Sequence, residues 1–490
     1  MKDADVSIKI GKKTFLTAVA ILAVLMLIAG ILTQVVPAGS YQRVVDGGRE
    51  IIDPDSFSYM PRADYPAWRW LTAPVEVLGG PDGPMVIVII LFILSVAGAF
   101  SLLEGSGVLA AVILKIVRRF EKRKYILMSV IVLLFMFLGA VLGTFEENIA
   151  LVPIIIALAC FLGWDSLTGL GMSILASCFG FAAAITNPFS IAITQKLAGL
   201  PLYSGMGFRV LIFITFFLML ELFLIRYAKK IEKNPGLSLV YKEDAPLRAK
   251  YSRPDGMDAG VSGSSGVDQR RLNCSILCFS GILALILLFV VFSSVTQILS
   301  DLVLPVIGLL FLAGGIISSA LAGTGLKTGW VTFRKAIGGI LPGAVLILMA
   351  MSVKFIISQG GIMDTILNRA ASLISGTTPY AAVFLLYLLV LLLEVFIGSS
   401  SAKAFLVMPI IAPLSDLTGI TRQTSVLAFC FGDGFSNVLY PTNPVLLICL
   451  GLTVVSYTRW LKWTIKLQLV VFAVSLAFLA LATAIGFGPY

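Results

Sequence analysis

Long apolar runs alternate along this chain with short polar stretches. Phe15 to Val36, Met85 to Leu103, Val210 to Ile225 and Leu467 to Ile485 are each close to the about 20 residues that cross a bilayer, and each predicts a transmembrane helix. Two other apolar stretches, 125 to 162 and 380 to 415, are too long for one straight span and are interrupted by polar residues at Gly143 to Asn148 and Gly398 to Lys403. Neither side of the interruption is long enough for a comfortable crossing. Both stretches predict re-entrant hairpins, whose irregular tips survive at membrane depth only if buried in protein or lining a water-filled cavity. Two further spans, at about 168 to 200 and 423 to 456, carry Thr186-Asn187-Pro188 and Pro441-Thr442-Asn443-Pro444 near their middles. Proline removes a backbone donor and clashes with the preceding turn, so both predict broken helices.

These features come in the same order twice. Gly143-Thr144-Phe145-Glu146-Glu147-Asn148, Pro153, Cys178-Phe179-Gly180 and Thr186-Asn187-Pro188 are followed by Gly398-Ser399-Ser400-Ser401-Ala402-Lys403, Pro409, Cys430-Phe431-Gly432 and Thr442-Asn443-Pro444. Each hairpin is preceded by an amphipathic segment. The first, 107 to 123, is rich in Lys and Arg, whereas its counterpart at 361 to 376 carries only Arg369, so the copies face opposite sides. Inverted repeats of this kind place a substrate site at their interface near the bilayer midplane.

Composition sharpens the class. The chain is 58% hydrophobic and 13% charged, and its mean hydropathy of +1.00 belongs in lipid. Of 36 Lys and Arg, the clusters at Lys2 to Lys13, Lys115 to Lys124, Arg226 to Arg271, Lys327 to Lys335 and Arg459 to Lys466 can all face the cytoplasm at once. The net charge of +10 therefore reports topology, and nucleic acid is excluded as a partner. The predicted path starts inside and ends outside. It runs through a retained first span with its external loop (1–83), a first repeat (84–227, hairpin 125–162), a cytoplasmic linker (228–271), linking spans (272–336) and a second repeat (337–490, hairpin 380–415). The fold class is an all-α polytopic membrane protein with about nine spans, two re-entrant hairpins and two broken helices. The linker, with its Gly260-Val-Ser-Gly-Ser-Ser-Gly run, reads as a plain tether.

Candidate chemistry concentrates at the breaks. Free amides there suit a carboxylate, and carbonyls with Ser, Thr and Asn oxygens suit Na+. The candidate substrate- or ion-binding residues are Thr144, Glu146, Glu147, Asn148, Thr186, Asn187, Ser399, Ser400, Ser401, Lys403, Asp433, Asn437, Thr442 and Asn443. Gly143, Pro188, Gly398, Pro441 and Pro444 supply the breaks. Two readings stand for the charges at membrane depth. Glu146 and Glu147 hold a substrate ammonium or coupling cation while Lys403 or the hairpin amides hold a carboxylate, or Lys403 closes a structural ion pair with a carboxylate across the repeat interface. Lys354, Glu104, Glu221 and Glu394 lie nearer span ends, where snorkelling accounts for them.

No histidine exists, and the six cysteines fall in apolar runs, so neither a disulfide framework nor a metal centre is predicted. The same absence removes the usual serine-protease and metalloprotease machinery. A Ser/Lys dyad built on Ser399 to Ser401 with Lys403, or a channel, remains a remote alternative to a carrier. No cofactor is expected beyond a coupling Na+ or H+.

The segments GTFEENIALVPIIIALACFLGWDSLTG and IGSSSAKAFLVMPIIAPLSDLTGITRQ, the ITNP and YPTNP breaks, and VVPAGSY after the first span resemble the C4-dicarboxylate anaerobic carrier family of YfcC type. The resemblance covers nearly the whole chain apart from the linker. It implies the wider ion-transporter superfamily in a bacterial inner membrane, with two hairpins and two broken helices holding substrate and Na+, usually in a homodimer with elevator-like motion. Its members are associated with C4-dicarboxylates or with basic amino acids, including exchange of arginine for ornithine. The tips here depart from the Ser-Asn-Thr tips of better-known dicarboxylate carriers. Two adjacent glutamates repel a dianion, which tilts the expectation to an amino acid. Na+, H+ and exchange all stay open as the coupling mode.

Overall fold

The computed structural model describes residues 12–46, 49–62, 64–120, 123–251, 269–296 and 302–488. The N-terminal basic residues up to Gly11 and the Gly260–Gly266 run lie outside the described residues. The chain is a helical polytopic membrane protein, with ten helices long and apolar enough to cross a membrane among the described residues. These ten include one limb of each interrupted stretch and leave out the second broken helix, whose pieces are short. The loop after the first helix adds four short strands, paired antiparallel as Gly39–Ser40 with Ser58–Tyr59 and Arg43–Asp46 with Arg49–Ile52.

The helices pack in two groups. One is a scaffold of Lys12–Val35, Gly83–Gly105, Gln269–Thr296, Val303–Leu321 and Leu326–Gln359. Its helices approach closely where small residues meet: a methyl group on Gly315 would lie 2.8 Å from the Ala99 Cα. The other group holds the two interrupted stretches and the two broken helices, flanked by Met206–Lys233 and Tyr457–Ala484.

Within this second group the same packing occurs twice, and the repeated Cys-Phe-Gly triplets explain it. Gly180 lets the first broken helix press on the first hairpin, since a methyl there would meet the Met136 carbonyl oxygen at 1.9 Å. Gly432 does the same in the second half against Val390, at 2.7 Å. Phe179 and Phe431 both pack their rings on Phe216. The broken helices then touch each other at Gly434, where a methyl would come within 2.3 Å of Ala182 Cα. Every residue of Ser166–Ala183 is buried, so this helix meets protein on all sides rather than lipid.

The hairpins start from opposite ends of the molecule. Glu232, at the end of the 28-residue helix Met206–Lys233, binds Lys124 and Tyr125 at the base of the first hairpin, both at 2.8 Å. Ser204, two residues before that helix begins, binds Gln423 just after the second hairpin, at 2.9 Å. At about 1.5 Å per residue the two bases are separated by about 40 Å.

Three expectations need correction. The stretch read as a tether is packed over residues 228–251: the helix runs to Lys233, and Val240 and Asp244 are fully buried. Asp244 accepts from the amide and hydroxyl of Ser166 at 2.8 and 2.6 Å, tying the linker to the base of the first broken helix. Burial raises this carboxyl from its ordinary value to about 6. Glu221 does not snorkel but accepts from the Ser129 hydroxyl at 2.6 Å. The second hairpin's break is Val395 to Ser399, so Ser400 to Lys403 form the first turn of the helix Ser400–Thr418 instead of the non-helical tip.

Candidate functional site

The first hairpin rises as Lys124–Phe137, widens into a π-helical turn at Leu138–Leu142, and breaks at Gly143. Gly143 has φ +71°, and a methyl on it would collide with Asn187 Oδ1 at 2.2 Å, so the tip requires glycine twice over. Asn187 in turn accepts from the amides of Phe189 and Ser190 at 2.9 and 3.2 Å. It closes the turn over Pro188 that leads into the helix Ile191–Leu197, after Ala184 has ended the first piece in a left-handed conformation at φ 46°. Hairpin tip and helix break are therefore one assembly. Asn148 fastens it by donating to Ser177 Oγ at 2.8 Å and to the Thr144 carbonyl at 3.0 Å. Thr186 donates to the Val141 carbonyl at 3.1 Å.

The second half repeats the device with different chemistry. Asn443 accepts from the amides of Val445 and Leu446 at 3.0 and 3.3 Å, with Pro444 as the first residue of the new helix. Its amide also donates to Asn437 Oδ1 at 2.8 Å. Here the fastening between hairpin and broken helix is ionic. Lys403 Nζ lies 2.8 Å from Asp433 Oδ1 and also binds Glu394 Oε2, and the three side chains are 0%, 1% and 0% exposed. Of the two readings of Lys403, the structure shows the ion pair, within its own half and with a partner that had been placed at a span end.

Between the two tips lies a cavity of about 460 Å³, within the range of small-ligand clefts. Gly143, Glu146 and Glu147 line one side, Gly398, Ser399, Ser400 and Ser401 the other, with Asn437 between them. Pro84, Met85, Val303 and Leu304 close it from the scaffold. A second cavity of about 250 Å³ shares Met85, Glu146, Leu304, Gly398 and Ser399 and extends to Glu394, Thr442, Asn443 and Lys354. The space is thus bounded by both groups of helices.

Its electrostatics are lopsided. Glu147 accepts from the Phe145 amide at 3.1 Å, and among the described residues no Lys or Arg pairs with Glu146 or Glu147. Across the cavity Ser399 caps the helix Ser400–Thr418, whose first-turn amides point out of its end. Ser400 Oγ and Thr442 Oγ1 are buried with no hydrogen-bond partner. Lys354, the cation on the wall of the second cavity, is paired with Asp82 at 2.7 Å.

The structure thus brings Glu146, Glu147, Ser399, Ser400, Ser401, Asn437, Thr442 and Asn443 onto cavity walls. It places Thr144, Asn148, Thr186, Asn187, Lys403 and Asp433 behind them as supports. Pro188 and Pro441 sit in the breaks without lining the space. Glu394 and Ser177 were missed. For Ser177 the offset of 256 residues between Asn187 and Asn443 was a usable signal, because it also relates Ser177 to Asp433. A further support is Arg209, fully buried, which donates to the Ile185 carbonyl in the first break at 3.2 Å.

A family model described as C4-dicarboxylate anaerobic carrier matches residues 15–484. The chain is 30% identical over 475 residues to YfcC of Escherichia coli (strain K12), a candidate basic amino acid antiporter, covering 89% of this chain and 90% of that protein. It is 27% identical over 381 residues to an uncharacterised Haemophilus influenzae protein, covering 77% and 72% of the two chains. Among solved structures, the YdaH transporter of Alcanivorax borkumensis covers 97% of this chain and 100% of its own at 16% identity and a TM-score of 0.40, too loose a likeness to argue from. Matched from its first span to its last, with helical architecture throughout, the chain belongs to the C4-dicarboxylate anaerobic carrier family of secondary membrane transporters.

Proposed function

We propose that this transporter carries a small amino acid with a cationic side chain across the bacterial inner membrane, by exchange or ion coupling. One observation carries the reading: two cavity-wall carboxylates, Glu146 and Glu147, have no Lys or Arg paired with them among the described residues, and they face hydroxyls and a helix N-terminus. The acidic wall receives ammonium or guanidinium groups. Ser399 to Ser401, with the amides of their helix turn, receive the α-carboxylate, the role that Lys403 cannot fill while it is bound between Glu394 and Asp433. The basic amino acid antiport ascribed to the relative YfcC supports the same substrate class. The family description favours a second reading, a C4-dicarboxylate, which would require the acidic wall to be neutralised by bound cations.

The N-terminus is placed inside and the C-terminus outside, on the distribution of Lys and Arg, and the working unit is a homodimer, on the family resemblance. Uptake of radiolabelled arginine, ornithine and succinate into proteoliposomes tests the substrate reading. Arginine and ornithine are expected to enter the parent, and Glu146→Gln and Glu147→Gln to raise KM for both. Entry of succinate alone would replace this reading with the dicarboxylate one.

A further inference from the structure

We propose that Glu394, Lys403 and Asp433 form a proton-binding site that drives a cationic solute and H+ in opposite directions; the inference rests on the transport reading above. The three side chains are sealed from solvent, and they hold one ammonium between two carboxylates. Fully ionised, the cluster carries one uncompensated negative charge at membrane depth, which is costly unless a cation or proton joins it. Glu394 Oε1 and Asp433 Oδ2 accept no hydrogen bond within ordinary distance and angle limits, although the Asn443 amide lies beside Glu394.

A proton fits this cluster better than Na+. It needs no extra volume, whereas Na+ would need several oxygen ligands and would sit against the Lys403 ammonium. Among the described residues no group of three or more His, Cys, Asp or Glu converges as a metal site. Among the described residues the neighbouring groups supply no second positive charge. Glu146 of the first hairpin and Cys178 of the first broken helix face the cluster, as do Cys430 and Tyr440 of the second broken helix. Lys354 faces the adjoining cavity and is spent on Asp82.

The fold itself does not require these charges. At the matching place in the first half, the hairpin is fastened to its broken helix by the uncharged bond from Asn148 to Ser177. The ionic version is particular to the half whose Glu394 also lines the transport cavity. A cationic solute held near Glu146 and Glu394 compensates the same excess charge as the proton, so the site holds one or the other. That is the condition for antiport.

The test uses the full-length protein in proteoliposomes with radiolabelled L-arginine. An inside-acid pH gradient is expected to accumulate arginine above equilibrium in the parent, and the accumulation ratio to fall to unity in Glu394→Gln and in Asp433→Asn. Infrared spectra of the purified parent at neutral pH are expected to show a protonated carboxyl band that either variant removes. Either variant leaves Lys403 one carboxylate, so if one fails to fold the other still decides. Accumulation that follows Na+ and ignores pH, or persists in both variants, would overturn the proposal, as would an unchanged infrared band. Arginine–ornithine exchange without pH-driven accumulation defeats the proton site and leaves the transport reading standing. If only succinate moves, the substrate reading fails and the infrared band alone decides the proton site.

Discussion

Replacing Lys403 by Met keeps the length of the side chain and removes its charge. The ammonium is the sole cation on Glu394 and Asp433 among the described residues, and all three side chains are sealed. Loss of one partner from a buried ionic cluster costs about 3 to 5 kcal/mol, because the remaining charges stay buried without compensation. With one of the two carboxylates holding a proton, one charge is stranded, and Lys403→Met should fall within that range. The triple variant Lys403→Met, Glu394→Gln, Asp433→Asn removes the charges together and should recover most of the loss. Chemical unfolding in detergent micelles, followed by tryptophan fluorescence, reads both numbers. The deficit of Lys403→Met should shrink at acid pH, where the stranded carboxylate takes up a proton. A single-variant cost below about 1 kcal/mol would refute the reasoning, since exposed pairs contribute no more than that. A triple variant as unstable as the single one would refute it too.

Other outcomes follow from the same geometry. Gly143→Ala forces an L-residue into φ +71° with its methyl 2.2 Å from Asn187 Oδ1, and should lower both thermal stability and transport rate in proteoliposomes. Asn443→Ala removes a helix cap worth about 1 kcal/mol and also releases Asn437, and should cost more in unfolding titrations than Asn187→Ala, which releases only the turn amides of Phe189 and Ser190. The Asp244 carboxyl is raised by burial from 3.8 to about 6, so the folded state favours its protonated form. Its contribution to stability is fully present below about pH 4 and is lost as pH rises through about 6. Protection factors of residues 234–251, that is, the intrinsic exchange rate at each pH divided by the observed rate, should therefore be higher at pH 5 than at pH 7.5, and Asp244→Asn should remove that difference.

Much of the architecture was legible in the chain because a bilayer punishes errors of length and charge. Spans declare themselves as apolar runs, and a hairpin as a run too long for one span and too short for two. Inversion is an expectation from the basic residues that one amphipathic segment carries and its partner lacks. The Thr-Asn-Pro breaks were legible for a related reason: proline cannot continue a helix, and asparagine can hold the turn that follows, as Asn187 does, or cap the next helix, as Asn443 does. Which polar residues face the cavity and which stand behind them could not be read this way. Glu394 looks like an interfacial residue along the chain, and only the approach of the hairpin's second limb and the second broken helix buries it against Lys403 and Asp433. Lys403 reads along the chain either as a ligand for a substrate carboxylate or as one end of an ion pair across the repeat interface, until those two partners of its own half occupy it. The linker beyond Lys233 looks like a tether until Asp244 meets Ser166 at the base of the first broken helix. Sequence alone determined the spans and their breaks, because those depend on local length, periodicity and backbone chemistry. Tertiary structure decided the charge state and exposure of the site, because these depend on which distant element arrives to cover each group.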